Sequence, residues 1–209
     1  MQTDIHEDGL KTKKRGRSAI PVRQRILVAA GALFHKQGIR GVGVEAIAEA
    51  AQTNKMTLYR YFDSKDELIA EWVRGIVAHK EEEWKDLNAK HRGDPHGQLQ
   101  DWSRRTAAKL RAMEERGSAL GNAFAELPDP NHPARRVIQE YRLREHKRVL
   151  RLCKAGGFRD PALSANLFSM MLEGAHSCGQ CVGMRQIGEH LVQVVDLMVE
   201  NSRQQAAAR

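Results

Sequence analysis

The stretch Val44 to Phe62, reading VEAIAEAAQTNKMTLYRYF, constrains this chain more than any other. Ile47, Ala51, Leu58 and Phe62 recur at helical intervals on either side of a break at Gln52 to Asn54, so two short helices can cross and pack. Asn54 is a natural N-cap for the second of them. Between the apolar positions, Lys55, Thr57, Tyr59 and Arg60 are donors or hydroxyls that so short a helix cannot hide. They point at solvent or at a partner. A helix entering a major groove reads bases with its N-terminal residues, while hydroxyl and ammonium groups hold the flanking phosphates.

Charge follows the same end of the chain. Residues 1 to 62 carry eleven Lys or Arg against five acids, which is six of the net +8. A polyanionic partner at one end is the expectation. Residues 1 to 18 end in KTKKRGR, have no apolar periodicity, and read as a disordered basic arm. Arg15-Gly16-Arg17 resembles the unit that AT-hook arms insert into a narrow minor groove; a generic phosphate clamp or solubilising tail is the plainer reading.

Ala, Leu, Arg, Glu and Gln are common and β-branched runs scarce, so the fold class is all-α. A first helix follows Pro21 and ends before Gly38, with Ile26, Ala29, Ala30, Leu33 and Phe34 on one face. Ser64 with Glu67 forms a capping box for a long helix toward His91. Gly93-Asp94-Pro95 breaks it; further helices are expected with Leu99, Trp102, Thr106, Leu110 and Met113 ending near Gly117 and, after a short apolar piece at Ala119 to Leu127, from Pro133 to about Ala155, from Pro161 through Cys178, and from Ile187 to Gln204. The last places Leu191, Val192, Val194, Val195, Met198 and Val199 on a wide apolar face that needs cover, most simply from a second subunit.

Three cysteines, Cys153, Cys178 and Cys181, do not make a disulfide framework, and no leader or run of the roughly 20 apolar residues that cross a bilayer is present. A cytoplasmic protein without a membrane segment is expected. His176, Cys178 and Cys181 sit close together, but they lack the further ligands that thiolate metal sites need, so no metal and no cofactor is assigned. Enzyme chemistry lacks a motif: Glu126 and His146 fall in no triad, carboxylate pair, phosphate loop or zinc-protease spacing. An architectural DNA binder is the other alternative, and the long helical C-terminal portion argues against it.

Arg25 to about Val73 fills the pattern IxxAAxxLFxxxGxxGVxVxxIAxxAxTxKxTLYRYFxSKDELI, and this resembles the DNA-binding domain of TetR-type transcriptional regulators. GNAFAELPDPNHPARRVIQEYR and LFSMMLEGA resemble, more loosely, C-terminal domains of one branch of that family. The resemblance implies an N-terminal three-helix helix-turn-helix domain over residues 19–63 and a larger helical ligand-binding and dimerisation domain over 64–209. Lys55, Met56, Thr57 and Arg60 then stand where these regulators meet base edges, and Tyr59 with Lys65 where they meet phosphate. Gln52 departs from a common turn glycine, and Gly43 from a capping Ser or Thr.

The family further implies a homodimer built on the last two helices, with Leu191, Val194, Val195 and Met198 at the seam, and a palindromic operator in double-stranded DNA. It implies a small-molecule effector beside the long fourth helix, for which Trp72, Trp102, Met113, Phe124, Tyr141, Phe168, Met171, Leu172 and His176 are the candidate lining. The expected function is a repressor released by that effector.

Overall fold

In the computed structural model, residues 20–112 and 117–207 are described. Among them the elements are α1 (Val22–Gln37), α2 (Val44–Ala50), α3 (Lys55–Tyr61), α4 (Lys65–Lys90), α5 (Pro95–Ala112), α6 (Ala119–Glu126), α7 (Pro133–Ala155), α8 (Pro161–Val182) and α9 (Met184–Ala207).

The local signals act largely as expected. Asn54 Oδ1 accepts the Thr57 N–H at 2.8 Å and starts α3. Ser64 Oγ accepts the Glu67 N–H at 3.1 Å and starts α4. The capping box is only half made, because the Glu67 carboxylate turns to Arg74 at 2.7 Å. Helix α2 begins at Gly43 without a side-chain cap and ends in a tight reversal. There the Thr53 N–H reaches Ala48 O and the Gln52 N–H reaches Glu49 O, both at 2.9 Å, with Gln52 at φ 52°. Gln52 therefore holds a left-handed conformation that suits glycine.

Two cores result. The first buries Ile26, Ala30 and Phe34 of α1, Ile47 of α2, Leu58 of α3, and Leu68, Ile69 and Val73 of α4. It does not stop at residue 63: Leu120 and Ala123 of α6 and Ala134, Ile138 and Tyr141 of α7 belong to it as well. Ile26, Ile47 and Leu58 are wholly buried, each worth about 1.5–3 kcal/mol of apolar transfer. The second core gathers Trp84 and Leu87 of α4, Leu99, Trp102 and Leu110 of α5, Val149 and Cys153 of α7, Phe168 of α8, and Leu191, Val195 and Val199 of α9. Helix α9 comes close to α5 at Gly188, where a Cβ would stand 3.2 Å from Ala107 O. Among the described residues no helix is long and apolar enough to cross a membrane.

Candidate nucleic-acid interface and effector cavity

Helix α3 is held from below and bare above. Leu58 is buried, whereas Lys55, Met56, Tyr59, Arg60 and Tyr61 are exposed and Thr57 half-buried. Met56, 81% exposed, has no folding reason to be there. Five of the residues expected to meet DNA thus share one short helix, and Lys65 opens the next. Tyr61 is a further exposed aromatic on this surface, and its place beside the buried Phe62 was readable from the helical period.

Two of the ammonium groups already have partners. Lys55 Nζ lies 2.6 Å from Glu45 Oε1 on α2, a pairing that holds the Glu45 carboxyl below its ordinary value. Lys65 Nζ donates to Ile39 O at 2.8 Å and so ties the start of α4 to the turn after α1, with two N–H donors left over. Arg15 and Arg17, on the basic arm, lie outside the described residues.

Within the first core, the helix-turn-helix unit is joined to α4, α6 and α7 by residues far apart in the chain. Glu126, ending α6, accepts the Arg40 N–H at 3.1 Å. Its carboxylate occupies the space beside Gly38 (φ 81°), where a Cβ would come within 2.8 Å of Oε2. His132 Nε2 stands 3.4 Å from Asp66 Oδ1, and Arg135 donates to Phe124 O at 3.1 Å. Trp72 also belongs to this joint: it meets Phe34 edge-on at 5.3 Å, and Gly31 leaves room for its indole. Phe124 lies under the guanidinium groups of Arg135 and Arg142, 4.0 and 4.7 Å from its centroid. Trp72 and Phe124 therefore join the first core.

A cavity opens between α4, α5, α7 and α8, and four of the expected residues line it: Trp102, Tyr141, Leu172 and His176. Trp84, Lys80, Glu83 and Glu145 line it too. The Tyr141 hydroxyl donates to Glu145 Oε1 at 2.9 Å, and burial with this neighbouring carboxylate raises the phenol well above its usual range. Burial, reinforced by Lys80, pushes His176 down to about 4, so its imidazole is neutral at pH 7. Phe168, wholly buried, meets Trp102 edge-on at 6.1 Å and faces a neighbouring cleft with His146 and Val149. Met113 and the side chains of Cys178 and Cys181 lie outside the described residues. Cys153 is buried and its thiol is pushed up to about 12.

Among the described residues, α8 and α9 carry exposed apolar side chains. Leu163, Leu167 and Met170 of α8 and Val194 and Leu197 of α9 are exposed, and Met171, Ile187, Leu191 and Val194 line a shallow groove between the helices. Of the expected seam residues, Val194 faces outward and Met198 is half-buried, whereas Leu191 and Val195 pack into the chain's own second core.

Residues 26–72, which hold α2, α3 and the joint with α1 and α4, match the model for bacterial regulatory proteins of the tetR family. A TetR-family transcriptional regulator from Streptomyces coelicolor superposes with a TM-score of 0.81 at 27% identity, covering 87% of this chain and 95% of that one. Residues 26–72 thus carry a segment of the tetR-family type, and the chain as a whole is similar to a TetR-family regulator.

Among curated proteins, the transcriptional repressor NicS of Pseudomonas putida is 37% identical over 68 residues, 32% of each chain. The repressor KstR2 of Rhodococcus jostii is 38% identical over 55 residues, 26% of this chain and 27% of that one. Under a third of either repressor's length is matched. TetR-family regulators, which are not enzymes, bind DNA operators, usually as dimers that respond to small molecules. The exposed face of α3 and most of its supporting core are local in sequence. Glu126, Lys80 and Trp84 are not: their roles come from contacts between distant helices, and no short-range pattern marks them.

Proposed function

We propose that the protein is a transcriptional repressor that binds a near-palindromic operator as a homodimer and leaves it when a small molecule binds. The observation that carries this is α3, a short helix anchored by the buried Leu58 that presents Lys55, Met56, Tyr59, Arg60 and Tyr61 to solvent. On this reading Lys55, Met56, Thr57 and Arg60 meet base edges, Tyr59 and Lys65 meet phosphate, and the arm with Arg15 and Arg17 adds grip along the backbone. Residues 19–63 read DNA, residues 64–209 bind the effector and dimerise, and the protein works in the cytoplasm.

The bare apolar face of α8 and α9 supports the dimer. A second copy laid across Leu163, Leu167, Met170, Val194 and Leu197 would cover these side chains, and two-fold symmetry would give the assembly two copies of α3. The cavity supports the effector. It is walled by α4, whose first turn follows directly on α3, so a guest that favours one tilt of α4 shifts the spacing of the two reading helices.

Sedimentation of the wild type and of Leu197→Glu tests the assembly. The wild type sediments as a dimer; the variant sediments as a monomer and loses sequence-specific DNA binding while keeping its helical spectrum. A wild-type monomer that binds DNA with full affinity contradicts the proposal.

A further inference from the structure

Among the described residues, the cavity between α4, α5, α7 and α8 is lined by one cation, Lys80, that has no hydrogen-bond or salt-bridge partner. Arg105 is bound to Asp86 at 2.7 Å and to Asp101 at 3.3 Å, and Lys109 pairs with Glu83. Glu145 is held by the Tyr141 hydroxyl. Lys80, half-buried on the same wall, makes neither a hydrogen bond nor a salt bridge among the described residues; its Nζ stands over the Tyr141 ring, 6.0 Å from the centroid. The carboxylates of Glu145, Glu83 and Glu173 attract it from beyond salt-bridge distance, and burial nevertheless drives its pKa down.

A desolvated ammonium left unpaired costs stability, and folding alone gives no reason to keep it in place of a Met or Leu. The surroundings favour a negative guest. His176 lines the same cavity and is held neutral by burial and then by Lys80, Arg142 and Lys109, so cations stand close to it. The remaining lining is flat and apolar: Trp84 and Trp102 lie nearly parallel at 25°, with centroids 6.5 Å apart, beside Leu87 and Leu172. A single free ammonium matches a single negative charge. A phosphate, with two charges and three acceptor oxygens, would need the guanidinium fork of Arg105, which is already taken.

We propose that this cavity takes an organic monocarboxylate with a flat apolar body, its carboxylate paired with Lys80 and its body laid against Trp84, Trp102 and Leu172. This rests on the reading of the cavity as the effector site. Because Lys80 stands on α4, the pairing acts on the helix that leads to α3.

The test uses the full chain and two sets of ring compounds that differ only in charge. These are 1-naphthoate, 1-naphthamide and 1-naphthylmethylamine, with benzoate, benzamide and benzylamine as smaller counterparts. Binding is followed by tryptophan fluorescence and thermal shift, in the wild type and in Lys80→Met, which keeps the apolar stem and removes the charge. The acids bind more tightly than the amides and amines, and Lys80→Met weakens the acids about tenfold or more while changing the amides little. Tighter binding of the amides or amines, an equal loss for acid and amide in Lys80→Met, or no binding by any probe overturns the assignment. Release from a selected operator fragment separates the two readings. An acid that binds through Lys80 without releasing DNA supports the anion site and counts against ligand-controlled repression. Release by the amides alone does the reverse.

Discussion

The carboxylate of Glu126 accepts the backbone N–H of Arg40 at 3.1 Å, joining residues 86 apart in the chain. Arg40 lies in the turn between α1 and α2, so this bond fastens the end of α6 directly onto the helix-turn-helix unit. His132 with Asp66 and Trp72 with Phe34 add two more ties across the same joint. A change in α6 or α7 therefore reaches α3 through contacts as well as through the covalent path along α4.

Glu126→Ala removes the acceptor and leaves the Arg40 N–H to solvent. One such bond contributes about 1 kcal/mol, so operator affinity is expected to fall about fivefold with the dimer intact, as read by fluorescence anisotropy and sedimentation. Gly38→Ala should act likewise, since its Cβ collides with the same carboxylate. Unchanged affinity in both variants would mean that the joint does not position α3.

Gln52 stands at φ 52°, where a side chain costs about 1–2 kcal/mol, partly offset by the looser unfolded chain that glycine brings. Gln52→Gly should stabilise the protein by about 0.5–1 kcal/mol and raise Tm by about 2 °C. Calorimetry decides it, and a lower Tm would contradict the left-handed assignment.

Glu45 holds Lys55 at 2.6 Å on the exposed side of α3, the surface proposed to meet DNA. Glu45→Gln frees an ammonium and removes a negative charge, so binding to any duplex should tighten by about two- to fivefold at low salt, with a steeper salt dependence. An affinity gain confined to one sequence would instead make Glu45 part of base recognition.

His176 titrates near 4 in the folded chain, below its ordinary value of 6.5. The unfolded chain therefore binds the proton first. The stability linked to His176 is complete above about pH 6.5 and is lost as pH falls toward 4. In urea titrations, His176→Gln should lose less stability than the wild type between pH 6.5 and 4. Parallel losses would place the imidazole in water.

The helix-turn-helix half was legible because its signals are local. Asn54 and Ser64 cap the helices they precede, and Leu58 and Phe62 mark the face that α3 buries. The cavity was half legible. Tyr141, Leu172, His176 and Trp102 reach it, but periodicity alone could not choose between Trp72 and Trp84 on α4. These lie twelve residues apart and point about a third of a turn away from each other, one toward α1 and one toward α5. Lys80 stands in the run HKEEE, which reads as a solvated face until α7 and α8 are laid against it. At the far end, the α9 stripe was wide enough to serve two surfaces, and only the packing shows that Leu191 and Val195 turn inward while Val194 and Leu197 turn out.

Selection of duplexes from a random library by the full chain, run beside Arg60→Ala, bears most directly on α3 as the reader of a two-fold site. The wild type should enrich a near-palindrome whose half-sites are centred about 34 Å apart or a multiple of that. Arg60→Ala should return the same spacing with one base position in each half-site relaxed. Enrichment of no symmetric sequence, or an identical consensus from both proteins, would contradict it.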